Sequence, residues 1–171
     1  EFRRVLFRSA ARGHGAHLVV NGAAEDEWER LTPPPEVPLE EALVATGFTY
    51  GIERRVDMAR VFAHLVTRVR DLRRTGSAGL DMCFVASGRI HGYYERDTKP
   101  WDRVAGAAVA SEVGVAVTVT GDPMGHCLTV VAPPALAARL SSELRSLGVV
   151  EDRKSTRLNS SHITISYAVF C

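Results

Sequence analysis

The sequence predicts an α/β layered domain with a mixed sheet covered by helices on both faces, and three observations lead there. Short β-branched runs alternate with segments whose apolar residues recur at three and four. Glycine or proline closes most of these segments. The chain has 171 residues, 46% of them hydrophobic and 24% charged, which is enough for one domain with a real core and short for two.

The elements follow in order. Gly13-His14-Gly15 leads to Asn21-Gly22, a dipeptide that favours a tight turn between short strands. Residues 25–38 are acidic and contain Pro33-Pro34-Pro35, which forbids helix and favours an extended surface connector. Ala42 to Phe48 is an apolar run ended at Gly47, as in a buried strand. Val56, Ala59, Val61, Phe62, Leu65, Val66 and Val69 share one helical face, with arginines between them. After the extended Asp71 to Gly76, Ser77 offers an N-cap to a helix over 78–86 that Gly88 stops. Residues 90–95 read as a strand. Pro100 suits the first turn of a helix over 101–113, ended by Gly114. Strands over 115–120 and 127–131 flank a turn at Gly121-Asp122-Pro123-Met124-Gly125, and a last amphipathic helix covers 135–147.

The ends differ from this middle. Residues 1–9 show neither a sustained period nor a cap. Residues 151–171 shift to Ser, Thr and Asn and stop on an apolar run. Both are expected to be non-native flanks around a domain over 10–150; the competing reading makes 163–170 an edge strand. Lysine plus arginine number 21 and aspartate plus glutamate 20, a net charge of +1, which offers no field for nucleic acid or an acidic membrane. No apolar stretch approaches the roughly 20 residues of a membrane span. Cys83, Cys127 and Cys171 form no CxxC pair, so neither a disulfide framework nor a zinc knuckle is expected and a reducing cytoplasm fits.

Three pieces are placed for chemistry. Gly76-Ser77-Ala78 sets free backbone N–H groups and a hydroxyl at a helix start, which suits an oxyanion as well as an ordinary cap. Tyr93-Tyr94-Glu95 ends a strand on a carboxylate able to accept from a hydroxylated substrate. Trp101-Asp102 places an acid in the first turn of an apolar helix, where it also complements the helix dipole. His14 and His17 lack a third ligand nearby. His64 reads as a boundary residue and Cys83 as core packing.

Taken together, Ala45-Thr46-Gly47-Phe48, residues 73–83 from Arg73 to Cys83, Gly92-Tyr93-Tyr94-Glu95 and Pro100-Trp101-Asp102-Arg103-Val104-Ala105-Gly106 resemble the inositol monophosphatase family. The likeness spans nearly all of 10–150, and Trp-Asp-x-x-Ala-Gly is that family's C-terminal signature. It implies the C-terminal half of a layered α/β/α/β/α fold, a homodimer for the full-length parent, and magnesium-dependent hydrolysis of a phosphorylated polyol. On the same resemblance, Asp102 is a magnesium ligand that also reaches the substrate. Glu95 holds a ring hydroxyl, and Gly76, Ser77 and Ala78 contact the polyol.

The departures bear on activity. The family's Gly-Asp-Glu-x-x-Glu and Asp-Pro-Ile/Leu-Asp-Gly-Thr motifs, which supply most metal ligands and position the water, do not occur in this sequence. The catalytic residues proper are therefore unknown here, and the chain as given is expected to be inactive. His91, where many relatives carry an acid, and Val113-Gly114-Val115, where a double glycine is usual, are milder departures. Histidinol phosphate, fructose bisphosphate and phosphoadenosine phosphate are the alternative substrates. A non-catalytic binding module is the reading from another class. Half of a layered domain is also expected to expose apolar surface and to associate.

Overall fold

A computed structural model describes residues 6–20, 24, 27–49, 51–149 and 167–170. The described residues form two sheets. The strands β1 (Leu6–Ala11), β2 (Gly15–Val20), β3 (Glu29–Arg30) and β9 (Tyr167–Phe170) form an antiparallel sheet in the order β3-β2-β1-β9. The strands β4 (Leu43–Thr46), β5 (Asp71–Arg73), β6 (Gly92–Arg96), β7 (Ala116–Gly121) and β8 (Cys127–Ala132) form the mixed sheet in the order β5-β4-β6-β8-β7. In it β4 runs parallel to β5 and β6, whereas β8 pairs antiparallel with β6 and β7.

Four helices cover the mixed sheet: α1 (Ile52–Leu65), α2 (Ala78–Ala86), α3 (Pro100–Glu112) and α4 (Pro134–Ser146). Strand periodicity assigns its two faces. Val44, Tyr94, Val130 and Ala132 pack with Val61, Leu65, Leu136, Leu140 and Leu144 of α1 and α4. Their neighbours Ala45, Tyr93 and Val131 point the other way, into a core with Met82, Cys83, Val85, Val109 and Ala110 of α2 and α3. Ala10 and Ala16 of the antiparallel sheet close that second core from its far side, and Arg8 lies 5.2 Å from the Phe84 ring centroid on α2. The layers are therefore antiparallel sheet, helix pair, mixed sheet, helix pair.

The mixed sheet and all four helices match the expected alternation, with α1 beginning one turn earlier than its apolar stripe. For the second sheet the residue pattern offers only the turn signal at Asn21-Gly22 between short strands and the competing reading of 163–170 as an edge strand; it does not join these pieces into a sheet. Its hairpin turns at Arg12-Gly13-His14, with Gly13 at φ +75° and Gly15 at φ +80°. Asn21-Gly22 lies outside the described residues. A 3-10 turn at Leu39–Glu41 follows directly on the connector that the prolines announce. Ser9 pairs with His17 inside β1–β2 although composition puts residue 9 in a flank, and Tyr167 to Phe170 pair with β1. No described helix is long and apolar enough to cross a membrane.

Candidate active site

The carboxyl ends of the parallel strands β4, β5 and β6 open toward the N-termini of α2 and α3, the place where open α/β sheets bind ligands. A cleft of about 560 Å³ forms there, and Gly76, Ser77, Ala78, Glu95 and Asp102 all line it. The residues singled out from the sequence thus meet on one wall although they span 27 positions from 76 to 102.

Each is set by a local device. Gly76 adopts φ +96°, a conformation that favours glycine, and turns the chain out of β5. Ser77 follows in extended conformation and its Oγ accepts from the Leu80 N–H at 3.3 Å, the N-cap that starts α2. Pro100 starts α3 and places Asp102 in the first turn. Close backbone approach fixes the two helices against each other. A Cβ on Gly106 would lie 2.7 Å from the Gly79 carbonyl oxygen, and one on Gly79 would lie 3.3 Å from the Asp102 carbonyl oxygen.

Glu95 shares a face of β6 with Tyr93, whose hydroxyl donates to Glu95 Oε2 at 2.8 Å. Burial pushes the Glu95 carboxyl above its usual value; the Tyr93 hydrogen bond and the Arg74 charge oppose this, while Asp81 and Asp102 add to it. Burial, reinforced by Glu95, holds the Tyr93 phenol well above its usual value, so it remains a donor at neutral pH. Gly47 at the end of β4 lies directly against the Glu95 carboxylate, leaving no room there for a Cβ.

Residues outside the sequence reading complete the wall. Asp81 is buried in α2 and accepts from Thr75 Oγ1 at 2.7 Å. Burial raises its carboxyl above the ordinary value, against the Thr75 hydrogen bond and the Arg74 charge. Its spacing of four from Ser77 puts it on the cap's face of the helix, which was the available signal. Arg54, Asp97 and His126 also line the cleft. They come from α1, the β6–α3 loop and the β7–β8 turn, so no local spacing announces them. Asp97 is in the left-handed region at φ 63°, which Asp tolerates better than most residues.

Arg103, next to Asp102, is buried and ties this corner together. Its Nη1 donates to the Thr98 carbonyl and its Nη2 to the Pro123 carbonyl at 2.7 Å. His64 is bound to Glu143 at 3.3 Å, Cys83 is buried in the core, and His91 Nδ1 accepts from the Leu43 N–H at 2.9 Å; all three lie away from the cleft.

A hard cation suits oxygen donors, and the cleft lining includes carboxylates on Asp81, Glu95 and Asp102. Among the described residues, however, no group of three or more His, Cys, Asp or Glu side chains could hold a metal ion. The donor chemistry fits magnesium; the ligands among the described residues do not complete a site.

Comparison with known proteins agrees with this layering. The profile of the inositol monophosphatase family matches residues 6–149, and the chain belongs to that family. It is similar to inositol-1-monophosphatase SuhB of Mycobacterium tuberculosis, 40% identical over 147 residues, covering 84% of this chain and 49% of that protein. The Vibrio cholerae protein named Nus factor SuhB is 37% identical over 111 residues, 64% of this chain and 39% of that protein. Among solved structures, Mycobacterium tuberculosis SuhB superposes with a TM-score of 0.73 at 40% identity, covering 84% of this chain and 56% of that one. The chain spans about half the length of the curated relatives it matches.

Proposed function

We propose that this chain is the C-terminal part of a magnesium-dependent phosphomonoesterase that hydrolyses inositol monophosphate to inositol and phosphate. The observation that carries the reading is the convergence of Asp102, Glu95 and Gly76-Ser77-Ala78 on one cleft wall. Asp102 offers a carboxylate oxygen both to a magnesium ion and to the substrate. Glu95, fixed by the Tyr93 hydroxyl, accepts a hydrogen bond from a ring hydroxyl. The start of α2 donates backbone N–H groups to the polyol oxygens. Bound magnesium supplies polarisation of the phosphoryl oxygens and a more acidic attacking water, so no protein nucleophile is required.

The remaining ligands and the water-positioning acid belong to the two acidic motifs that this sequence lacks. Joined in frame to the upstream half of a relative, the chain is expected to release phosphate from inositol 1-phosphate with magnesium, and Asp102→Asn to abolish that release; the chain alone is expected to be inactive. Equal turnover by the joined protein and its Asp102→Asn variant would overturn the reading. Histidinol phosphate, fructose bisphosphate and phosphoadenosine phosphate, tried beside it, identify the substrate. A cytoplasmic homodimer is the assembly we propose for the full-length protein.

One observation favours a non-catalytic second reading: relatives from Vibrio cholerae and Salmonella typhimurium are named Nus factor. A full-length protein that lacks the acidic motifs and turns over no phosphate monoester would move the reading to a binding module.

A further inference from the structure

The outer end of the cleft has a chemistry of its own. Arg54 stands in the first turn of α1, Asp97 in the loop after β6, and His126 in the turn before β8. Arg54 Nη1 donates to Asp97 Oδ2 at 2.5 Å, and its Nη1 and Nη2 lie 2.6 and 2.8 Å from His126 Nδ1 and Nε2. His126 Nδ1 is also 3.3 Å from Asp97 Oδ1. The side chains of Arg54 and His126 are 39% and 72% exposed, against 12% for Asp97, so the two donors face the opening and the acid backs them.

The arrangement has more donors than acceptors. A guanidinium only donates, and a neutral imidazole has a single acceptor nitrogen, so the ring can serve Nη2 alone and Nη1 depends on Asp97, which also faces the ring Nδ1. Among the described residues Asp97 is the carboxylate that touches both groups, and Arg96 and Lys99 add two further cations to the same wall. Arg54 also sits at a helix N-terminus, where the dipole disfavours a cation. A group with several anionic oxygens meets all of these requirements at once.

We propose that Arg54 and His126 form a phosphate subsite at the outer end of the cleft, with Asp97 holding Arg54 until an incoming phosphate displaces it. The subsite rests on these side chains alone. That the phosphate is a second one on the substrate, beyond the one hydrolysed, rests on the phosphatase reading.

The test is titration of the full 171-residue chain with inorganic phosphate, at low ionic strength and with chelator present, followed by calorimetry and by the His126 ring resonances. One phosphate is expected to bind and to shift His126. Arg54→Gln should weaken binding by about tenfold or more, whereas Arg60→Gln, on the exposed side of the same helix, should leave it unchanged. Asp97→Asn removes the competing carboxylate and should tighten binding by about threefold or more, a gain that misfolding does not produce. No binding, unchanged affinity in Arg54→Gln, or unchanged or weaker affinity in Asp97→Asn overturns the subsite. Magnesium takes no part, so that failure leaves the phosphatase reading standing. Arg54-dependent binding by a chain whose joined form hydrolyses nothing would keep the subsite and discard the substrate as its source.

Discussion

Tyr93 and Glu95, two residues apart on one face of β6, share a hydrogen bond of 2.8 Å that orients a carboxylate which burial would otherwise favour protonating. Tyr93→Phe keeps the ring in the core and removes only the donor. It is expected to cost about 1–3 kcal/mol, the penalty of a buried acceptor left unpaired. Urea unfolding at neutral pH measures it, and the Glu95 carboxyl should titrate higher still in the variant.

Asp81 and Glu95 give the chain a pH dependence of definite sign. Both carboxyls are raised in the folded state above ordinary values of 3.8 and 4.5. The folded state therefore holds protons that the unfolded state releases. The stability they contribute is fully present below those ordinary values and is lost as pH rises through the raised ones. Asp81→Asn keeps an acceptor for Thr75 and removes the charge, so it should raise the melting temperature at pH 7 and leave it nearly unchanged at low pH. A constant difference across the range would contradict the assignment.

Gly106→Ala tests the contact between α2 and α3. Alanine favours a helix interior by about 1 kcal/mol over glycine. Here its Cβ would meet the Gly79 carbonyl oxygen at 2.7 Å and Met82 Cβ at 2.8 Å. Overpacking of this kind costs about 1–3 kcal/mol, and with backbone on the far side the clash wins. The expected outcome is a lower melting temperature in thermal denaturation.

Glu36, in the proline-rich connector, accepts from the Ala135 and Leu136 N–H groups at 2.8 and 3.2 Å and so caps α4, whose own N-cap residue is Pro133. Glu36→Ala should destabilise the fold by about 1 kcal/mol, as loss of a cap does. Glu36→Gln, which retains an acceptor, should cost less. Chemical denaturation of the two variants side by side decides it.

What could be read from the sequence was what neighbours in sequence determine. Ser77 and Gly88 bracket α2 because a cap acts within one turn, and Pro100 marks α3 for the same reason. Gly76, Ser77, Ala78, Glu95 and Asp102 were legible because each sits at a helix start or a strand end. Arg54, Asp97 and His126 were not, since only the tertiary fold brings three connections together. Arg8 hid the antiparallel sheet in another way: a charged residue on a core-facing position, covered by Phe84, broke the alternation that would have revealed its strand.

The far end of α3 is gripped as firmly as the near end. Glu112 accepts from the Gly13 N–H at 3.0 Å and from the Gly15 N–H at 3.0 Å, clasping the β1–β2 hairpin. Thirteen helical residues at 1.5 Å each make a strut about 20 Å long between that clasp and the first turn bearing Asp102. One continuous helix therefore joins the hairpin of the antiparallel sheet to the turn that carries Asp102.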